Sequence, residues 1–358
     1  MIRVRPALLS DLEGIRAVSL RNGLSSFDPE ERRNWCLSHP FRKEFEGIPM
    51  GWVLESKEKE IVGTFSNIHM MYELDGKCVK CGVAGSWGVD VEHRNSSLLL
   101  AMAFFSQKNV DFCFTGSASS VSSRLMQALQ VQRIPSEDYD LSYFWIARPK
   151  AFAAAVLRKK KIPAVAALAP LISVGLRAAD LGFGGFARKV AGLMRFDKFG
   201  KEFDVFWDKL RQKAGRLRAI RTSQALEWRF RTALNERRAV VLGLLKSKEL
   251  LGYVVLREKD REHLQLRQFV IADLQALNDS PDTILDLLAA ALETTREQEL
   301  DVLEWQGWNP VKRRLALSAH PKAYRYPVWP LFCKTINQEF APALARPDTW
   351  DFSPFDAF

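Results

Sequence analysis

Hydrophobic and polar residues alternate along this chain with two periods, and the switches between them predict its elements. Ile2-Arg3-Val4-Arg5 has period two, as a half-buried strand does. After Ser10, a candidate cap, the apolar positions Leu12, Ile15, Val18 and Leu20 fall at helical spacing. Asp28-Pro29-Glu30-Glu31 predicts a second helix, with an N-cap carboxylate, a first-turn proline and acids that suit the positive end of the helix dipole. Residues 51–55, 60–74 and 77–91 are rich in β-branched and aromatic side chains and read as strands, with Asp75-Gly76 as the hairpin turn between the last two. An apolar helix over 98–105 follows Asn95-Ser96-Ser97, then come a strand at 110–115, a short helix through Leu129 and a strand at 139–147.

The same grammar restarts at Ser223. A helix containing Trp228-Arg229-Phe230 precedes strands at 239–245, 250–257 and 263–272. Asp279-Ser280-Pro281-Asp282 opens a long helix, 301–306 is a strand, Asn309-Pro310 starts another helix and 326–334 is a strand. Residues 148–221 interrupt the pattern with alanine-rich, basic and apolar patches that predict helices. The expected organisation is an N-terminal domain over 1–147, a basic helical linker over 148–221 and a C-terminal domain over 222–358, of α/β class with mixed (α+β) sheets.

Composition supports two packed bodies. The 358 residues are about twice a usual domain, and 47% hydrophobic residues exclude global disorder. The net charge of +10 is concentrated: residues 148–221 carry 18 Lys or Arg against 5 Asp or Glu, a net +13, which leaves the rest of the chain at −3. An anionic partner is therefore expected at the middle segment. Five cysteines, an odd and sparse set, argue against a disulfide framework and for a reducing, cytoplasmic location. Charges interrupt every apolar run near the start, so no signal or transit peptide is expected. The longest apolar stretch, residues 162–176, contains two prolines and falls short of the roughly 20 residues that span a bilayer.

The candidate chemistry lies at the strand-to-helix junction Val89-Asp90-Val91-Glu92-His93-Arg94-Asn95-Ser96-Ser97-Leu98-Leu99-Leu100. This junction resembles that of the GNAT superfamily of acyl-CoA-dependent N-acyltransferases, in which a strand ends in Val-x-Pro and is followed by Arg or Gln, x, x, Gly, x, Gly or Ala and a helix. Arg94 matches the basic position and Val89 and Val91 the strand end, whereas Ser97 and Leu99 stand where the family prefers glycines. The opening strand and Ser10-Asp11-Leu12-Glu13-Gly14-Ile15 also resemble a GNAT start. The resemblance covers residues 1–147, and residues 223–335 through element order, which implies two GNAT-like domains joined by the basic arm. Such a loop cradles a pyrophosphate on backbone N–H groups at a helix N-terminus, and Asn95, Ser96 and Ser97 are small enough to offer such donors.

The resemblance implies acyl-CoA as donor, with no metal, and a small-molecule amine as acceptor. It places the donor on Val89, Val91, Arg94, Asn95, Ser96, Ser97, Leu98 and Leu99, with the thioester between the strand ending at Val91 and the strand at 110–115. Asp90 or Glu92, or water held by them, is the expected base, and Tyr143 or Tyr139 the expected acid. In the second half, the corresponding junction from Val270 to Pro281 lacks the pattern and starts its helix with acids that would repel a pyrophosphate. A non-catalytic, ligand- or partner-binding GNAT-like protein is the alternative.

Other residues invite rival readings. Cys78 and Cys81 have CxxC spacing, but residues three apart on a strand face opposite sides, so two ordinary thiols are expected. His69, His93, His263 and His320 are isolated; His69, on a central strand, is the one that could face the acyl site. Trp228-Arg229-Phe230 suits either packing at the domain junction or acceptor binding. For the arm over 148–221, a pair of solvated helices, an anionic membrane surface at the inner face and an acidic acyl carrier protein are all compatible. Nucleic acid is disfavoured because stacking aromatics are not interleaved in its densest basic stretch.

Overall fold

A computed structural model describes residues 2–134, 140–159, 186, 188–261, 265–307, 309–326, 328 and 331–356. The first half runs β1 (Arg3–Pro6), α1 (Leu12–Arg21), α2 (Pro29–Leu37), β2 (Gly51–Glu55), β3 (Ile61–Leu74), β4 (Lys77–Val89), α3 (Ser97–Phe105), β5 (Phe112–Thr115), α4 (Ser120–Ala128), β6 (Gln132–Arg133) and β7 (Leu141–Ile146). Then come α5 (Pro149–Lys159), β8 (Leu193–Phe196), α6 (Lys201–Leu210) and β9 (Arg218–Ala219). The second half runs α7 (Ser223–Asn235), β10 (Ala239–Lys246), β11 (Glu249–Arg261), β12 (Leu266–Ala276), α8 (Pro281–Glu297), β13 (Val302–Trp305), α9 (Pro310–Leu317), β14 (Lys322–Arg325), β15 (Phe332–Thr335) and α10 (Ala341–Leu344).

Caps set several boundaries as expected. Asp28 accepts from the Glu31 N–H at 2.9 Å, Ser280 from Thr283 at 3.4 Å and Asn309 from Val311 at 2.9 Å, each just before a first-turn proline. Ser10 does not cap α1; it lies in a 3-10 turn whose Asp11 carboxylate takes the Leu8 N–H at 2.7 Å and pairs with Arg5.

The two sheets repeat one strand order. The first is β1-β2-β3-β4-β5-β15-β6, with β9 added on β3; the second, taken from its far end, is β8-β10-β11-β12-β13-β7-β14. In each, one pair is parallel, β4 with β5 and β12 with β13, and the others are antiparallel. The halves exchange their penultimate strands. β7 lies between β13 and β14 of the second sheet, and β15 lies between β5 and β6 of the first.

This exchange corrects the expected organisation. Residues 141–146, expected in a domain over 1–147, complete the other sheet; of the expected strand over 326–334, the described residues hold only its end, Phe332–Lys334, as part of β15 in the first sheet, while β14, just before the run, joins the second. Nor is 148–221 a separate helical arm. β8 edges the second sheet, β9 pairs with β3, and α6 buries Phe203, Phe206, Trp207 and Leu210 at helical spacing. The segment's charge count concealed that apolar stripe. Residues 160–185 and 187, which hold much of the arm, lie outside the described residues, as do Tyr139 and His263.

The largest apolar cluster joins the halves. Ile68, Tyr72, Phe112 and Phe114 from the first sheet meet Phe203, Phe206 and Trp228 of the helices, Tyr253 from the second sheet and Trp350, Phe352 and Phe355 from the C-terminal segment. The outer face of the first sheet packs on α3 through Leu100 and Phe104, and that of the second on α8 through Ile284, Leu287 and Leu288. Among the described residues no helix is long and apolar enough to cross a membrane.

Candidate functional site

The site begins with a fault in the β3–β4 ladder. Phe65 sits opposite Trp87 and Asn67 opposite Ala84, so Gly85 and Ser86 together face the single residue Ser66. Such a bulge turns backbone groups out of the ladder. On its other edge β4 pairs with β5 only over residues 81–83, while β4 itself continues to Val89. The two parallel strands thus part beside the bulge. The strand is tight at its centre: a Cβ on Gly85 would stand 3.0 Å from Cβ of Ser66 and 3.1 Å from Cδ1 of Ile68, so those side chains would have to give way.

Gly85 and Ser86 open into a cavity of about 250 Å³ on the α1–α2 face of the sheet, opposite α3. Its wall includes Ser66 of β3, Phe27 between α1 and α2, Arg32 of α2, and Arg229 and Arg257 from the second half. A neighbouring cavity of about 730 Å³ shares Arg32, Met50 and Ile68 with it and is also lined by His39 and His69. His39 Nε2 lies 3.0 Å from the His69 carbonyl oxygen, and His69 Nε2 lies 3.1 Å from that of Pro49. Burial depresses both imidazoles, His69 to about 4, so both are neutral at pH 7.

The predicted site residues do not converge. Val89 is buried at the end of β4, and Val91 to Ser96 form a 3-10 helix rather than an open loop. That helix uses donors internally: the His93 N–H bonds to the Asp90 carbonyl at 2.8 Å and the Ser97 N–H to that of Arg94. Val91, Glu92, Arg94, Asn95, Leu98 and Leu99 are exposed, and Ser96 and Ser97 are half-buried at the start of α3. Asp90 is held by Arg21, at 2.6 Å, and by the Asn22 amide, at 3.1 Å. Tyr143, on the exchanged strand β7, belongs to the second sheet and packs under Arg313, 4.7 Å from the ring centroid. Asp90, Glu92 and Tyr143 are therefore absent from the wall of the cavity at the bulge.

Asp90 is in the position of a structural anchor between α1 and the end of β4. Asp90→Asn is expected to lower stability by about 1 kcal/mol and to leave any thioester-cleaving activity within about twofold. Urea titration and thiol release from an acyl-CoA check the two halves of that statement. A loss of a hundredfold or more in rate at unchanged fold would make Asp90 the base after all.

The second half has the corresponding bulge, occupied by a network of buried ion pairs. The β11–β12 register slips between Val255 and Leu256, beside Asp273. Asp273 is fully buried and receives Arg221 Nε at 2.8 Å, the Tyr253 hydroxyl at 2.7 Å and the Ser353 hydroxyl at 3.0 Å. Lys312 of α9 donates to the Leu274 carbonyl, Gln275 and Asp351 at 2.8, 2.8 and 2.9 Å. Burial opposes the charge on Arg221, yet Asp273 and Asp356 hold it well above the ordinary arginine value. Burial also opposes ionisation of Asp351, and Lys312 and Arg218 outweigh it and keep the carboxyl ionised. This cleft is filled by ion pairs and the C-terminal segment.

Sequence reasoning missed the bulge and two of the three arginines. The signal for the bulge was Gly82, Gly85 and Gly88 within one strand, since glycine in a strand interior marks a bulge or a close approach. Trp228-Arg229-Phe230 serves both of its alternatives: Trp228 stacks on Trp35 with centroids 4.4 Å apart, while Arg229 lines the cavity. Cys78 is exposed and Cys81 buried, as their opposite faces require, and no group of metal-ligating side chains occurs among the described residues.

By sequence, neither a family model nor a curated protein matches the chain. By structure it is similar to a GCN5-related N-acetyltransferase from Anabaena variabilis, at 13% identity and a TM-score of 0.55, over 94% of this chain and 74% of that one. It is similar to another from Kribbella flavida, at 14% identity and a TM-score of 0.54, over 96% and 73%. A Saccharomyces cerevisiae N-myristoyltransferase with bound myristoyl-CoA aligns at 12% identity and a TM-score of 0.50, over 85% and 72%. The strand order, the parting of β4 from β5 and these neighbours agree, and the fold of this chain is that of the GCN5-related N-acetyltransferases.

Proposed function

We propose that the chain is an N-acyltransferase that uses its first half to move an acyl group from a thioester, acyl-CoA or acyl carrier protein, to the primary amine of a small molecule. The observation that carries this reading is the bulge at Gly85 and Ser86, set where β4 leaves β5 and open to a cavity on the acceptor side. A thioester carbonyl lying along β4 would meet backbone N–H groups there, which favours the oxyanion of the tetrahedral intermediate. The amine nitrogen would form the new C–N bond, the C–S bond would break, the sulfur would leave as thiolate and take up a proton, and the ammonium proton of the acceptor would pass to solvent. Arg94 and Asn95, exposed beside the start of α3, would face the donor's phosphates. A bound myristoyl-CoA in one structural neighbour supports a CoA donor.

The 3-10 turn over Val91–Ser96 favours a second reading, a non-catalytic ligand-binding protein, because it closes the loop that would cradle a pyrophosphate. It equally suits a donor delivered on a carrier protein to the basic segment over 148–221. Thermal unfolding with acetyl-CoA, longer acyl-CoAs and an acyl carrier thioester separates the readings. A ligand at a hundredfold excess over its dissociation constant should add about 2.7 kcal/mol, and an amine should then release thiol. Stabilisation without thiol release would leave the binding protein; no response to any thioester would remove the transferase.

A further inference from the structure

Three guanidinium groups meet at the cavity beside the bulge, and they come from three elements. Arg32 is on α2 of the first half, and Arg229 on α7 and Arg257 on β11 are from the second. No acidic side chain lines this cavity. The three are half-buried, and the fully buried arginines elsewhere are matched: Arg218 pairs with Asp351 at 3.1 Å and Arg221 with Asp273 at 2.8 Å. Among the described residues no carboxylate holds Arg32 or Arg257 in this way; Arg32 instead lies over the Trp35 ring, 4.3 Å from its centroid.

The positions of these groups are set by packing. Trp35 stacks on Trp228, whose indole N–H donates to the Trp35 carbonyl at 3.0 Å, so α2 and α7 hold each other. Arg229 Nε donates to the Phe355 carbonyl at 3.0 Å, which fixes its plane against the C-terminal segment. Burial and repulsion from Arg257 and Arg32 outweigh the attraction of Asp356 and pull Arg229 down to about 9. Arg32 is lowered by burial, and Arg257 by burial and Arg238. Guanidinium groups do not shed their protons in proteins, so such an environment is one that an anion would relieve.

We propose that this cavity selects an amine acceptor carrying at least two anionic groups, a dicarboxylic or phosphorylated amine of amino-acid size. This rests on the acyl-transfer reading for the word acceptor, and on the arginine geometry alone for the anion. The volume of about 250 Å³ suits a small metabolite and is below the 300 Å³ or more typical of drug-sized ligand pockets. Planar guanidinium groups bind carboxylate or phosphate in pairs of charge-assisted hydrogen bonds. Three cations near the amine would also favour its neutral, nucleophilic form, which compensates for a wall without a carboxylate or imidazole. The second half, whose own cleft is filled, thereby contributes specificity: it supplies two of the three arginines.

Calorimetric titration of the full chain tests this, with L-glutamate, O-phospho-L-serine, L-glutamine and inorganic phosphate as probes. Glutamate or phosphoserine should bind at least tenfold tighter than glutamine. Arg257→Gln should weaken that binding tenfold or more while raising the melting temperature of the ligand-free protein, because it removes an uncompensated charge. Arg346→Gln, an exposed pair with Asp348, should do neither. Equal binding of glutamine and glutamate, or unaltered binding by Arg257→Gln, overturns the proposal, and phosphate binding as tightly as phosphoserine overturns the acceptor assignment. If thioesters bind and no anionic amine does, this inference alone falls; if anionic amines bind and no thioester does, acyl transfer falls and the anion site stands.

Discussion

Deleting residues 347–358 is expected to abolish cooperative folding. The segment buries Trp350, Phe352 and Phe355 in the apolar cluster between the sheets, with Trp350 edge-on to Phe112 at 5.7 Å and Phe352 edge-on to Phe114 at 5.4 Å. Each such side chain is worth about 1.5–3 kcal/mol of burial. Deletion also removes Asp351, the shared partner of Arg218 and Lys312, and Asp356, a partner of Arg221. A buried charge left alone costs about 3–5 kcal/mol. The combined loss matches or exceeds the about 5–15 kcal/mol by which domains are usually stable. Near-UV circular dichroism and a urea titration of the truncated chain should show no native signal and no sigmoidal transition; a well-folded truncated protein would remove the C-terminal segment from the core.

Arg221→Ala is the substitution with the largest expected effect. Arg221 and both of its carboxylate partners are fully buried, and its loss leaves Asp273 and Asp356 side by side without their cation. A destabilisation of about 3–5 kcal/mol is expected at pH 7. Its pH dependence follows from linkage. Even with Arg221 present, burial raises the Asp356 carboxyl to about 6. Without Arg221 both folded-state values rise above their unfolded ones, so the variant takes up protons on folding and regains stability as pH falls. The deficit relative to wild type should be full at pH 8 and shrink between pH 7 and pH 5. Urea titrations at three pH values measure it, and a deficit constant across that range would show that lost packing, and not stranded carboxylates, is the cause.

Much of the element list could be read from local chemistry, because caps and periodicity are local. Asp28, Ser280 and Asn309 mark helix starts by their own hydrogen bonds, and the apolar stripe of α8 follows from its spacing. Strand partnership is another matter. Leu141–Ile146 and Phe332–Thr335 each announce a strand, and nothing within either segment says which sheet it joins. The site was harder still. Arg32 lies roughly 200 residues before Arg229 and Arg257 in the chain, and their meeting depends on Trp35 stacking on Trp228. Val89 to Leu99 is a contiguous motif, whereas the bulge that opens the cavity lies just before it at Gly85 and Ser86, where glycines three apart do not follow the strand's period of two.

The exchanged strands bear on how the protein is made. When β5 leaves the ribosome its partner β15 has not been synthesised, and roughly 200 residues must follow before residue 332 emerges. At about 5–20 residues per second, translation holds that edge open for about 10–40 s. During this interval Phe112, Cys113 and Phe114 present an apolar edge strand, the kind of surface that recruits other chains. The yield of folded protein should therefore fall when translation pauses before residue 332, and rise when a chaperone covers that edge until β15 arrives.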